Sequence, residues 1–549
     1  MRIRRALPGA LLVLVAAPAG TLIAQQPCES LTALRLDRAS VTSAAMLDAA
    51  PLKPPPNAFF QLPPTTVPAH CEVKGTARPS TDSEIRFELW LPLPAAWNGK
   101  YLQRGNGGWA GTIPSYALVT PVARGYAAAA TDDGHSTGGS IVPDASFAIG
   151  HPEKLIDFGY RAVHVTALHS MAILHAFYGK ERTKGYFAGC SDGGREALME
   201  AERYPEDFDG IISGAPANHW THGFTGFIWN EKALHESPAS NITAAKLTVV
   251  QKAALTACDA LDGVKDGLIE DPRQCHFDPS VLRCAGPDRP DCLTPPQLIA
   301  LRKIYAGLRS PRTGELTYPG FEPGTEAGPA GWSLWILGPA QSMFGNSYFS
   351  GAVYENPKWD WRTIDFDRDL KLAEEKTGAI LNAYDPDLRS FRAHGGKLIQ
   401  YHGWGDAAVA PRDSIAFYEK VEAFLKQYPD PRGGAGKPIQ DFYRLFMVPG
   451  MGHCAQGAGP NMFGNDDIAD AARWPQDADH DLVLALDRWV TEGIAPDKII
   501  GTGRMGGDGS DPAKGVKMTR PLCPYPSVAR YKGQGDTNDA GSFECASPK

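Results

Sequence analysis

Residues 189–193 read Gly-Cys-Ser-Asp-Gly, which places Ser191 in a G-x-S-x-G pattern. A serine hydroxyl is a poor nucleophile at neutral pH. It attacks a carbonyl only when an imidazole takes its proton and a carboxylate orients that imidazole. The pattern gains meaning between a strand and a helix, where its glycines permit a strained turn that lifts the hydroxyl into a cleft. A plainer reading makes Ser191 a helix N-cap with glycines serving the turn. The flanks favour the elbow: "KGYFAG" reads as a short buried strand, "DGGREALMEAERY" as a helix stopped by Pro205, and "DFDGIISGAPA" as the next strand.

An elbow serine requires a carboxylate and then a histidine further along the chain, each on a loop that follows a strand. "GGKLIQYHGWGDAAVAP" supplies an apolar strand and a glycine-punctuated loop carrying Asp406. "DFYRLFMVPGMGHCAQG" supplies a second strand and a loop carrying His453. Taken singly, Asp406 reads equally well as a loop-capping carboxylate and His453 as a surface imidazole. Acyl transfer also needs donors for a tetrahedral oxyanion, usually the amide after the nucleophile and one from an early strand–loop junction. The first is the amide of Asp192; the second is Gly107 or Gly108 in "KYLQRGNGGWAG". That glycine cluster lacks the lysine and hydroxyl residue of a phosphate-binding loop.

The elements that must position these residues are spread through 549 residues. Residues 1–24 carry Arg2, Arg4 and Arg5 before an apolar, alanine-rich run, the form of a signal peptide. Its removal moves the formal charge from −8 to −11, which argues against nucleic acid or an anionic membrane as partner. Nothing after the leader is apolar enough to span a membrane. An α/β-hydrolase fold assigns residues 25–216 and 395–549 to the catalytic domain and leaves 217–394, far too long for one connection, as an inserted lid. Export permits disulfides, and local spacing pairs Cys258 with Cys275, Cys284 with Cys292, Cys523 with Cys545, and Cys28 with Cys71. Cys190 and Cys454 are left over.

Within the lid, Asp259, Asp262 and Asp266 fall in a short glycine-containing loop bounded by Cys258 and Cys275. Hard carboxylate oxygens at this spacing suit calcium, although the pattern is not an EF-hand and also fits a solvated acidic turn. Zinc would prefer histidine or thiolate. Further on, "GWSLWILGPAQSMFGNSYFSG" concentrates Trp332, Trp335, Phe344, Tyr348 and Phe349. Such rings form lid core more often than ligand wall, yet an aromatic acyl group needs some of them. Trp332, Trp335, Phe344 and Phe349, with His402 before the Asp406 loop, are the candidate substrate-binding residues. No arginine lies between Thr313 and Trp361, which counts against a substrate with a free carboxylate. Gln341, Ser342 and Asn346 offer polar partners for ring hydroxyls.

"GCSDGGREAL", "YHGWGD" and "VPGMGHC" together resemble the tannase and feruloyl esterase family, which includes a hydrolase of mono(2-hydroxyethyl) terephthalate. The resemblance implies an α/β-hydrolase fold with a large lid and a triad of Ser191, Asp406 and His453. It also implies an oxyanion glycine in the 105–108 loop and a disulfide between Cys190 and Cys454. For the acidic loop it implies a structural calcium ion, whose shell is completed by carbonyls of Val264 and Leu268. The expected protein is a secreted or periplasmic serine carboxylesterase acting on feruloyl- or galloyl-type esters through an acyl-enzyme. Monoesters of an aromatic diacid are the alternative substrates. A peptidase lacks a marked peptide cleft, and a non-catalytic binding protein on this scaffold would typically lose a triad residue. The sequence leaves the oligomeric state open.

Overall fold

A computed structural model describes residues 26–52, 65–138, 143–328, 331–429, 438–465, 475–505 and 515–548. The leader expected at 1–24 lies outside the described residues. Nine strands form the central sheet: β1 Ala39–Leu47, β2 His70–Ala77, β3 Ile85–Pro92, β4 Lys100–Arg104, β5 Ala127–Thr131, β6 Lys184–Cys190, β7 Gly210–Gly214, β8 Lys397–Gly403 and β9 Tyr443–Val448. Their spatial order is β1-β2-β3-β5-β4-β6-β7-β8-β9. The first three strands and β5 pair antiparallel, and the run from β5 to β9 is parallel. Parallel strands covered on both faces read as unbroken buried runs, as the all-buried β5 (AAAAT) and β7 (GIISG) do.

Side-chain alternation divides the core. On one face, Tyr101, Phe187, Ile211, Leu398 and Leu445 pack with helices α1 (Ala162–Tyr178), α2 (Asp192–Arg203) and α6 (Pro411–Gln427). On the other, Tyr186, Ala188, Ile399, Tyr401 and Phe446 pack with α7 (Leu482–Glu492). The ends of β6, β8 and β9 therefore point the same way, and the loops that follow them meet.

Between β7 and β8 the long inserted segment, expected to be a lid, carries a core on α3 (Trp220–His235), α4 (Ala244–Cys258) and α5 (Ala340–Ser347). That core takes in Trp109, Ala145, Leu155 and Phe158, so segments before residue 217 pack as one body with it. The acidic loop leans instead on the C-terminal strands, where Val264 packs with Cys523, Ala529 and Phe543. All ten cysteines pair as Cys28–Cys71, Cys190–Cys454, Cys258–Cys275, Cys284–Cys292 and Cys523–Cys545, which fits an oxidising compartment. Among the described residues no helix is long and apolar enough to cross a membrane.

Candidate active site

Ser191 ends β6 and opens α2 with φ 64° and ψ −119°, a conformation that L-residues rarely adopt. Two glycines make the turn possible. A Cβ on Gly189 would lie 2.5 Å from the Gly193 carbonyl oxygen, and one on Gly193 would lie 2.7 Å from the Asn106 carbonyl oxygen. Strand, helix and the 105–108 loop thus approach one another at backbone distance. The loop is fastened there by the Gly193 amide, which donates to the Asn106 carbonyl at 2.8 Å.

His453, after β9, receives the Ser191 hydroxyl at Nε2 (2.8 Å) and donates from Nδ1 to Asp406 Oδ2 (2.7 Å). Asp406 follows β8 and is buried, and its Oδ1 accepts the amides of Ala408 (2.7 Å) and Val409 (2.9 Å). Burial alone would raise its pKa. The charge of His453 and hydrogen bonds from both His402 and His453 outweigh burial and hold the carboxyl well below its ordinary value. The chain is ordered as proton transfer away from a serine requires. The neighbouring Cys190 and Cys454 are bridged with a Cα–Cα distance of 5.9 Å.

Among the described residues the backbone amides of Asp192 and Gly108 have no protein acceptor, as oxyanion donors require. Gly108 has φ 62°, and a Cβ there would stand 3.3 Å from the Phe344 ring. The loop bearing it rests on a buried acidic group. Glu196 Oε2 accepts the Asn106 amide (3.0 Å), and Asn106 Nδ2 donates to Asp133 Oδ2 (3.1 Å) and the Thr131 carbonyl (2.6 Å). Asp192 turns its carboxylate away from the cleft to accept Arg195 Nε at 2.6 Å. Burial pushes Asp133 well above the usual carboxylate range and Asp192 up to about 7.

The lid brings two of the four candidate aromatics to the site. Trp335 stands edge-on to His453 (centroids 5.2 Å apart, planes at 76°), and Phe344 faces both Trp335 and Gly108. Trp332 and Phe349 are buried elsewhere: Trp332 packs on Tyr305 and Phe321, Phe349 on Tyr348 and Trp359. Helical periodicity is the reason. Trp332 shares its inward face with Ile336, and Gly345 turns α5 onto Ile228 so closely that a Cβ would lie 2.7 Å away. Gln341 is likewise buried, donating to the Ala407 carbonyl (2.8 Å) and accepting from Asn230 Nδ2 (2.9 Å), so it does not meet a substrate hydroxyl. His402 is fully buried behind Asp406, to which its Nε2 donates at 3.1 Å. The sequence signal for that position was its place four residues before Asp406 on a strand, which points it into the protein.

In the acidic loop, Asp259 Oδ1 accepts the amides of Asp266 and Gly267, and Asp266 Oδ2 accepts the fully buried Arg520 (2.5 Å). Asp262 Oδ2 and Glu270 Oε2 are buried and accept no hydrogen bond, although Glu270 Oε2 lies 3.8 Å from Arg520 Nη1. Asp262 Oδ2 is the oxygen of this group that a hard divalent cation would satisfy. Arg520 was not legible as part of this group.

A strained strand–turn–helix serine on a mostly parallel sheet, with a histidine and a carboxylate from the next two strand ends, defines an α/β-hydrolase. A family model for tannase and feruloyl esterase matches residues 71–546. The chain belongs to that family. It is 41% identical to an uncharacterised esterase of Xanthomonas campestris pv. campestris over 96% of this chain and 92% of the relative. It is 32% identical to mono(2-hydroxyethyl) terephthalate hydrolase of Piscinibacter sakaiensis over 88% and 85%. The crystal structure of feruloyl esterase B from Aspergillus oryzae superposes with a TM-score of 0.83 at 28% identity, covering 94% of this chain and 99% of that one.

Proposed function

We propose that the protein is an exported serine esterase that hydrolyses esters of aromatic, feruloyl- or galloyl-type acids through an acyl-enzyme. The observation that carries this reading is the Ser191–His453–Asp406 relay at 2.8 and 2.7 Å on a positive-φ elbow, opening beneath Trp335 and Phe344. His453 Nε2 takes the Ser191 proton as Oγ attacks the ester carbonyl, and the amides of Asp192 and Gly108 receive the oxyanion. Collapse breaks the bond to the alcohol, which leaves with the proton from His453. Water, deprotonated by the same imidazole, then releases the acid and restores Ser191. Asp406 stays ionised and orients the imidazole throughout.

Trp335 and Phe344 offer ring faces to an aromatic acyl group, and the arginine-free stretch 313–361 supports a phenolic acid over a second carboxylate. The similarity to mono(2-hydroxyethyl) terephthalate hydrolase favours the other reading. Asp259, Asp262 and Asp266, with the carbonyls of Val264 and Leu268, would hold calcium, which supplies charge compensation to the lid and no step of the reaction. Five disulfides and the Arg-led apolar leader support export. The test is a hydrolysis panel of methyl ferulate, methyl gallate, chlorogenate and mono(2-hydroxyethyl) terephthalate, with fluorophosphonate labelling of wild type and Ser191→Ala. Preference for the terephthalate monoester would replace the phenolic reading. Labelling of Ser191→Ala would remove the nucleophile assignment.

A further inference from the structure

Two polar side chains on the α6-facing side of β8, Gln400 and His402, are completely buried among apolar neighbours such as Leu398 and Leu445. Polar groups in such a place need partners, and theirs form a single file. His402 Nε2 faces two acceptors, Asp406 Oδ2 at 3.1 Å and the Val409 carbonyl at 3.2 Å, so Nε2 carries a proton. Ser414, in the first turn of α6, accepts Gln400 Nε2 (2.7 Å) and is 2.7 Å from His402 Nδ1. Among the described residues Nδ1 is the sole acceptor within reach of the Ser414 hydroxyl, so its O–H donates to Nδ1, which makes His402 the neutral Nε2–H tautomer. The Gln400 Oε1 end accepts the hydroxyl of buried Tyr443.

We infer that His402 is a positioning residue for the reaction, the last donor of a buried chain Tyr443–Gln400–Ser414–His402 that keeps the Asp406 carboxylate ionised and turned toward His453. Every donor in the chain points toward Asp406, and aligned hydrogen bonds in a low-dielectric interior polarise one another in the same sense. Oδ2 takes His402 on one side and His453 on the other, while Oδ1 is held by the Ala408 and Val409 amides, so the carboxylate cannot rotate without breaking a donor. A neutral donor does this where a second imidazolium would compete with His453 for the same charge.

The inference rests on the serine-triad reading, and one variant series separates the two. His402→Phe, Ser414→Ala and His402→Gln are compared with wild type and Ser191→Ala on an ester the wild type cleaves, with thermal midpoints recorded for each. His402→Phe is expected to lower kcat by about ten- to a hundredfold with KM changed less than about threefold. The acid limb of its pH–rate profile should move up by about one unit, because an Asp406 carboxylate with one donor fewer attracts the proton shared with His453 more strongly, so the base is free to take the Ser191 proton only at higher pH. His402→Gln, which restores an N–H near Asp406, should recover to within about fivefold of wild type. Ser414→Ala, which frees the tautomer without touching Asp406, should fall between. It carries the test if His402→Phe does not fold. Wild-type rates and an unmoved acid limb in folded His402→Phe, or in Ser414→Ala, would overturn the inference, as would a folded His402→Gln no better than His402→Phe. Turnover surviving in Ser191→Ala would instead remove the triad reading.

Discussion

Trp335 meets the imidazole of His453 edge to face at 5.2 Å, so the lid touches the proposed base directly. An edge-to-face pair is worth about 0.5–1.5 kcal/mol, and the Phe344 ring lies nearly parallel to the same indole with centroids 6.2 Å apart, so the two rings form an aromatic wall for the proposed acyl group. Trp335→Ala should therefore raise KM for methyl ferulate by up to about tenfold and change p-nitrophenyl acetate turnover by less than about threefold. Steady-state kinetics on both esters checks this. Equal losses on the two would assign Trp335 to support of His453 rather than to the acyl ring.

The Cys190–Cys454 bridge joins the residue before the nucleophile to the residue after the base, across 264 residues. In the chain-entropy model a loop of that length is worth about 5–6 kcal/mol of stability. Catalysis should be the more sensitive quantity, because a displacement of about 1 Å costs on the order of a hundredfold in rate. Replacing both cysteines by serine is expected to lower kcat at least about tenfold with a smaller change in KM, in protein that circular dichroism shows to be folded below its lowered midpoint. A folded double variant with wild-type kcat would show that the loops hold their geometry unaided.

Asp133 and Asp192 give the molecule a pH dependence of definite sign. Both carboxyls are raised by burial, against Arg195 and alongside Glu196. Between about pH 4, where an unfolded aspartate loses its proton, and about 7, the value for Asp192, the native state binds more protons than the unfolded chain. Stability therefore falls as pH rises through that window. Asp133→Asn keeps an acceptor for Asn106 and removes one such group, so its midpoint should decline less between pH 5 and 8. Parallel curves for variant and wild type from differential scanning calorimetry would contradict this.

The strand–turn–helix around Ser191, the loops of Asp406 and His453 and the local disulfides could be read from sequence, because each depends on short-range pattern. Two aromatic residues on one side of a short helix could not be told apart. Trp332 and Trp335 are three positions apart, and tertiary packing decides between them: Tyr305 and Phe321 receive Trp332, while Trp335 meets His453. Buried charge was equally hidden. In α2, Arg195, Glu196 and Glu200 are buried, and the partners come from distant segments: Arg195 donates to the carbonyls of Phe158 and Gly159, and Glu196 accepts the Asn106 amide. Arg520 reaches Asp266 across 254 residues, a pairing that no local spacing announces.

The acidic loop yields a prediction with opposite signs in two conditions. Asp262 Oδ2 is buried and accepts no hydrogen bond beside Asp259, Asp266 and Glu270, and among the described residues Arg520 is the cation paired with the group. Oδ1 accepts the Val264 amide, but a buried carboxylate oxygen that accepts no hydrogen bond is destabilising, so in chelator Asp262→Asn should melt at a higher temperature than wild type. A divalent cation that binds only the folded protein reverses the order, adding about 2.7 kcal/mol to wild type at a hundredfold excess over Kd and much less to the variant. The thermal midpoints should therefore cross between chelator and millimolar calcium. The turnover of wild type at 25 °C should be insensitive to chelation until unfolding begins, since the loop lies in the lid and supplies no group to the Ser191 relay. A variant that responds to calcium as wild type does would exclude Asp262 as a ligand, and a wild type with no response would exclude the metal.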